Sequence, residues 1–164
     1  MVLFGNLVSF LGCILMVAIG FIKKKDRILT AQCIQFALMD AGNLILGAMA
    51  GVISNGISII RNLLFTRVKG TTGLKVLFIA IQVALTLLMS GGALIEWLPV
   101  MAVVVYTWCL DLKSAVAFKV VIIGCQVLWT VYDWHYMNYV AFAFDLMTIV
   151  STVVGIVMIR REKA

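Results

Sequence analysis

Three charged residues, Asp40, Arg61 and Asp145, stand in the middle of long apolar runs, where charge is otherwise absent. At mid-membrane such a group costs about 2.5 to 3.5 kcal/mol on insertion scales, so each needs a partner, water or a ligand. Counted from the ends of their predicted helices, Asp40, Asn55, Trp129 and Asp145 fall at similar depths. Arg61 lies one and a half turns deeper than Asn55, about 9 Å at 1.5 Å per residue. A guanidinium there has three outlets: it snorkels to the nearer interface, pairs with Asp145 or Asp40, or contacts an anionic or polar ligand. The Asp145 carboxylate is too short to snorkel, which leaves a ligand, cation or proton role or a structural pair. Asp40 is open to the same readings, and Asn43 beside it is compatible with a wet vestibule.

The neighbours of these charges are small and polar. At 100° per residue Asn55, Ser58, Arg61 and Asn62 project at about 0°, 300°, 240° and 340°, within one sector of a helix. Asp145, Thr148, Ser151 and Thr152 repeat that spacing further on. Such a stripe must face protein or water rather than lipid. It serves either a polar ligand or interhelical hydrogen bonding, and both readings stay open for Asn55, Ser58, Thr148 and Thr152.

Other chemistry finds no pattern to use. The four cysteines, Cys13, Cys33, Cys109 and Cys125, have neither disulfide nor metal spacing and read as packing thiols. One histidine, His135, leaves a metal without a ligand set. There is no His-Glu-x-x-His run and no serine with a base at hydrogen-bonding spacing. The expectation is therefore no enzyme, no metal and no cofactor.

The elements that must position these residues follow from composition. Of 164 residues, 64% are hydrophobic and 12% charged, against about 25% charged in a soluble domain. The chain's first partner is thus a lipid bilayer. Apolar runs broken by charge or glycine predict helices over 1–22, 28–46, 49–66, 73–90, 93–110, 114–132 and 136–159. Merging the second and third across Gly47 and Gly51 is the main alternative, although that G-x-x-x-G also reads as a tight turn. Charge placement argues against merging. Twelve of the thirteen Lys and Arg fall on one side if the N-terminus is outside, at Lys23–Arg27, Arg67–Lys75, Lys113–Lys119 and Arg160–Lys163. The loops around Gly47–Gly51, Ser90–Gly92 and Asp133–His135 have none. This is the positive-inside distribution for an outside N-terminus and a cytoplasmic C-terminus. The net charge of +6 is then a topological label rather than a nucleic-acid footprint, and Arg61 is the one basic residue expected inside a span. Met1–Ile22 lacks a basic leader and a small-residue cleavage site, so it reads as the first span. Trp97, Tyr132, Trp134, Tyr136 and Tyr139 read as an outer aromatic belt.

An offset of 90 residues lays helices one to three over five to seven and leaves the fourth unpaired. Lys23 falls on Lys113, Leu38 on Leu128, Asn55 on Asp145 and Ser58 on Thr148. The predicted fold is an all-α membrane protein with seven transmembrane helices in a 3+1+3 arrangement of two three-helix bundles. Its parts are a first unit over 1–69, a connector helix over 70–91 and a second unit over 92–164. An odd connector keeps both units parallel, as in repeats whose axis lies along the membrane normal. Pro99, the only proline, removes a backbone donor from its helix and reads as a hinge.

The stretch LGAMAGVISNGISIIRNLLF, Leu46–Phe65, followed by a basic loop, resembles the YgjV-type family of bacterial inner membrane proteins. That family is in turn similar to PQ-loop proteins, SWEET and semiSWEET sugar transporters and PnuC-type vitamin-precursor transporters. The resemblance implies a bacterial inner-membrane location and a solute site built from a Trp on the second helix and an Asn on the third. Trp129 and Asp145 stand at those places in the second unit, Met39 and Asn55 in the first. The paired Pro-Gln motif is absent, and Asp in place of Asn argues against a neutral sugar. The expected function is a small transporter or facilitator of a polar solute, nucleoside-like or vitamin-like, working by alternating access. Its expected site is Asp145, Asn55, Trp129, Asp40, Arg61, Ser58 and Thr148. The rival is a non-transporting membrane component, or a binding subunit that needs an energising partner. Homo-oligomerisation is left open.

Overall fold

A computed structural model describes residues 2–68, 71–89 and 92–161. Lys69, Ser90, Gly91 and Lys163, used above in the charge and loop assignments, lie outside the described residues. Seven α-helices are present among the described residues: α1 (Val2–Ile19), α2 (Lys25–Leu46), α3 (Met49–Phe65), α4 (Thr72–Met89), α5 (Trp97–Trp108), α6 (Ala115–His135) and α7 (Tyr139–Arg161). Short 3-10 turns, Leu94–Glu96 and Cys109–Asp111, flank α5. Six segments are long and apolar enough to cross a membrane, and α3 is shorter at 17 residues.

The second and third helices do not merge. Gly47 ends α2 with φ 73°, a left-handed conformation that a side chain would oppose. The Gly47 and Ala48 amides turn back to the Leu44 and Asn43 carbonyls at 3.3 and 2.9 Å, so the turn satisfies the orphan carbonyls of the helix end. Pro99 is the third residue of α5. Helix N–H groups have no intrahelical acceptor there, so the proline costs no bond.

The helices form a ring. α1 packs on α2 and α7, α2 on α3, α3 on α5, α5 on α6, and α6 on α7, while α4 stands outside against α3 and α5. The first three helices and the last three are each a run of sequential neighbours, and the two runs meet along two seams, α1/α7 and α3/α5. Polarity is arranged inside out. Leu3, Leu7, Leu11, Leu63, Leu88 and Val150 are exposed, whereas Ser54, Asn55, Arg61, Asn62, Gln82, Thr107, Lys119, Asp133 and Asp145 are buried. Lipid tails are as apolar as leucine, so such an interior coheres through close packing and hydrogen bonds rather than hydrophobic burial.

Cross-unit hydrogen bonds tie both ends of the ring. At the Gly47 end, Asn6 Nδ2 donates to the Met137 carbonyl at 3.1 Å, the Val140 amide donates to Asn6 Oδ1 at 2.8 Å, and Asn138 Nδ2 donates to Asn43 Oδ1 at 3.3 Å. At the Lys25 end, Lys25 Nζ donates to the Leu110 carbonyl, Lys119 Nζ to the Gly20 carbonyl at 2.6 Å, and Ser151 Oγ to the Val17 carbonyl at 3.1 Å. Tyr132, expected in an aromatic belt, is instead fully buried. Its hydroxyl accepts the Gly51 amide at 2.9 Å, one of the orphan donors in the first turn of α3. Removing that cap with Tyr132→Phe is expected to cost about 1 kcal/mol. A drop in detergent melting temperature, absent in Trp134→Phe on the exposed face, would show it. Trp134 and Tyr139 keep the exposure that a belt requires.

Candidate functional site

Among the described residues the helix ring surrounds a cavity of about 70 Å³, walled by every helix except α4, in which charged and polar side chains are set in a mainly apolar lining. A single water needs about 10–15 Å³ on such a measure, so the space takes several waters or a small polar solute. Repeat-related positions wall it in pairs: Met39 with Trp129, Asn55 with Asp145, and Ser58 with Thr148. Of the residues predicted for the site, Asp145, Asn55, Trp129, Arg61, Ser58 and Thr148 line this cavity. Asp40 does not. It sits half-buried beside the cavity and accepts a 2.8 Å hydrogen bond from Asn55 Nδ2, so it orients a lining residue.

α6 supplies the longest wall. Lys119, Ile122, Gln126, Trp129 and Asp133 all line the cavity, and their spacing of three and four residues stacks them on one helix face. Gln126 Nε2 donates to Asp145 Oδ1 across the α6/α7 contact. Asp133 faces Asp145, and both are 1% exposed. Both oxygens of Asp133 and Oδ2 of Asp145 receive no hydrogen bond; the Asn138 amide lies beside Asp133 but outside bonding geometry. Two facing carboxyls are acceptors only when both are ionised; sharing one proton, they bond to each other and still carry one negative charge. Trp129 stands over this end, edge-on to Tyr132 with ring centroids 5.6 Å apart.

The other end of the cavity is basic. Arg61 is 1% exposed, so it does not snorkel, and among the described residues it pairs with no carboxylate. Its Nε and Nη2 donate to Asn62 Oδ1 at 3.1 and 2.9 Å, and Nη1 donates to Thr107 Oγ1 at 2.7 Å. The guanidinium lies over the Tyr106 ring, 4.7 Å from its centroid, and Tyr106 is held by a 2.7 Å hydrogen bond to Gln32 Oε1. A cation on an aromatic face, ringed by neutral acceptors, is positioned without being neutralised. Of the three outlets open to Arg61, neither snorkelling nor an ion pair with Asp145 or Asp40 is therefore realised. The expectation that Arg61 alone among the basic residues is internal also fails. Lys119 is 1% exposed and lines the cavity, and Lys75 on α4 is buried against Asp111 and the Trp108 carbonyl.

Asp133, Gln126, Lys119 and Tyr106 are thus additions to the predicted site. Asp133 and Lys119 stand near helix ends, where a linear reading assigns charge to the interface; their shared spacing with Trp129 was the available signal. Outside the helices, burial and then the Glu96 carboxylate push the Tyr136 phenol up from its ordinary value. Tyr136 consequently remains a donor, to Glu96 Oε1 at 3.2 Å, and closes the rim beside Tyr132.

A family model described as bacterial inner membrane protein, Imp-YgjV, matches residues 3–163. No curated protein and no solved structure matches the chain.

Proposed function

Because the chain belongs to the Imp-YgjV family of bacterial inner membrane proteins, we propose that it is a small transporter or facilitator that takes a polar solute into the cavity between its two three-helix units. The observation that carries this reading is the cavity itself, which sets buried charged and polar side chains in an apolar lining and is walled by repeat-related residues from both units. A structural protein whose polar stripes only join helices would pair those groups with donors on neighbouring helices, whereas the oxygens of Asp133, Asp145 Oδ2 and Thr152 Oγ1 receive no hydrogen bond from another helix.

Alternating access supplies the mechanism. In this reading all seven helices cross the membrane, with the Gly47 end outside and the Lys25 end cytoplasmic, and α4 keeps the two units parallel as in SWEET-type repeats. Opening outward breaks the Asn6, Asn43–Asn138 and Tyr132–Gly51 bonds; opening inward breaks the Lys25, Lys119 and Ser151 bonds. Each set is small and polar, so either is readily exchanged for water when its end opens. Movement of whole units along the two seams, rather than bending of α5 at Pro99, is the motion these contacts allow.

A thermal-shift screen of purified protein against nucleosides, vitamin precursors, amino acids and sugars tests the reading, since a ligand bound only to the folded state raises its stability. A concentration-dependent rise with one class is expected; a flat response throughout would favour the non-transporting component. Orientation has its own expected result. A cysteine at Met137, exposed at the Gly47 end, should react with an impermeant maleimide in intact cells, and one at Lys113 only after permeabilisation. The reverse pattern would turn the topology over.

A further inference from the structure

The cavity is divided by charge. Arg61 and Lys119 stand towards the Lys25 end, Asp133 and Asp145 towards the Gly47 end, all four line the same space, and each is 1% exposed. Among the described residues no ion pair joins the two sets. Arg61 uses three of its five N–H groups on two neutral oxygens. Lys119 donates to the Gly20 carbonyl, a neutral acceptor as well. On the acidic side three of four carboxyl oxygens receive no hydrogen bond, and Thr152 Oγ1, buried in the same wall, is also unpartnered.

Resting on the solute-cavity reading above, we propose that the solute is a small zwitterion, with its cationic group on the Asp133–Asp145 carboxyls and its carboxylate on Arg61. A solute of one charge would compensate one set and leave the other buried and bare, and uncompensated charge in a low-dielectric interior is the costlier state. A neutral solute would leave both. A zwitterion compensates both at once, and its two ends fix its orientation across the cavity. Lys119, four residues into α6, stands at about the level of Arg61, four residues before the end of α3, and reinforces the field that draws the carboxylate. The register gives the scale. Asp145 is six residues into α7 and Arg61 twelve into α3, so their Cα levels differ by about 9 Å, and the two side chains shorten the gap. Trp129 beside the acidic end offers an aromatic face to the cationic group.

The test is a series of ω-amino acids, from glycine through β-alanine and γ-aminobutyrate to ε-aminocaproate, each compared with the alkylamine and the fatty acid of the same chain length. Binding to the full chain in detergent is read by calorimetry and thermal shift. Expected is an optimum within the series, with the matched amine and acid each weaker by about tenfold or more, which corresponds to about 1.4 kcal/mol. Arg61→Gln should bring the zwitterion down to the amine, and Arg61→Lys should restore part of the preference. Should Arg61→Gln fail to fold, the wild-type comparison alone decides. An amine that binds as well as the amino acid overturns the zwitterion and leaves the solute cavity standing, as does an acid that does so. No binding by any member of the three series overturns the zwitterion, while the solute cavity falls only if the broader screen of nucleosides, vitamin precursors and sugars is flat as well.

Discussion

Asp145→Asn is expected to abolish ligand-induced thermal stabilisation while leaving the unliganded protein folded, with a melting temperature at or above that of the wild type. Asparagine keeps an oxygen where Asp145 Oδ1 accepts the Gln126 amide, and it puts an amide donor beside Asp133, whose oxygens have none. One of two facing buried charges is removed, which relieves the unliganded state. Binding loses the carboxylate that meets the solute's cationic group. At a hundredfold excess over Kd the wild type should gain about 2.7 kcal/mol from ligand, and that gain should vanish. A melting curve read with and without ligand separates the two effects. An unchanged ligand response would remove Asp145 from the site. Failure of both Asp145→Asn and Arg61→Met to fold would make the polar interior a structural network instead.

Gly155→Ala should be strongly destabilising, and Gly124→Ala should have the opposite sign. A Cβ on Gly155 would drive into the Gly20 carbonyl oxygen, a backbone atom, and would come 3.1 Å from Lys119 Nζ. The clash can be relieved only by parting α7 from the chain just beyond α1, which also loosens the 2.6 Å bond from Lys119 to Gly20. Overpacking of this kind costs about 1–3 kcal/mol. Gly124 meets nothing within 4 Å and lies inside α6, where alanine is the better helix former by about 0.5–1 kcal/mol. Parallel melts of the two variants in one detergent give the comparison. A Gly155→Ala protein as stable as the wild type would mean that this seam is not the tight one.

Much of the architecture was legible because hydropathy is a one-dimensional signal and a bilayer-adapted chain obeys it closely. α3 and α4 start and end within a residue of the apolar runs that predicted them. α2 begins earlier than its run, at Lys25, since a charged first turn forms helix as readily as an apolar one. α5 is shorter than its run because its ends tighten into 3-10 turns, which composition does not distinguish from helix. In the site, Asn55, Ser58, Asp145 and Thr148 were visible through the repeat, which doubles a weak polar signal. Lys119 and Asp133 were not. Each lies near a helix end, and only the partners packed against those ends, the Gly20 carbonyl and the α6/α7 contact, turn an interfacial charge into a buried one. Arg61 illustrates the same limit. Depth predicted that it could reach a carboxylate, but its rotamer was decided by Tyr106 and Thr107, residues of a helix far away in sequence.

The place of α4 outside the ring has a consequence for how this sequence can change over time. It lends no atom to the cavity and touches its neighbours through the buried Lys75, Phe78, Gln82 and Thr86, four polar or aromatic positions on one face, with the apolar Leu74 and Leu85 packed beside them. Gln82 Nε2 donates to Ser54 Oγ at 2.7 Å, and Lys75 holds the far end of α5. The rest of α4 needs only to be apolar and helical. Mutation should therefore accumulate there faster than in the other six helices, and an unrelated hydrophobic helix carrying those four side chains should be accepted as a graft.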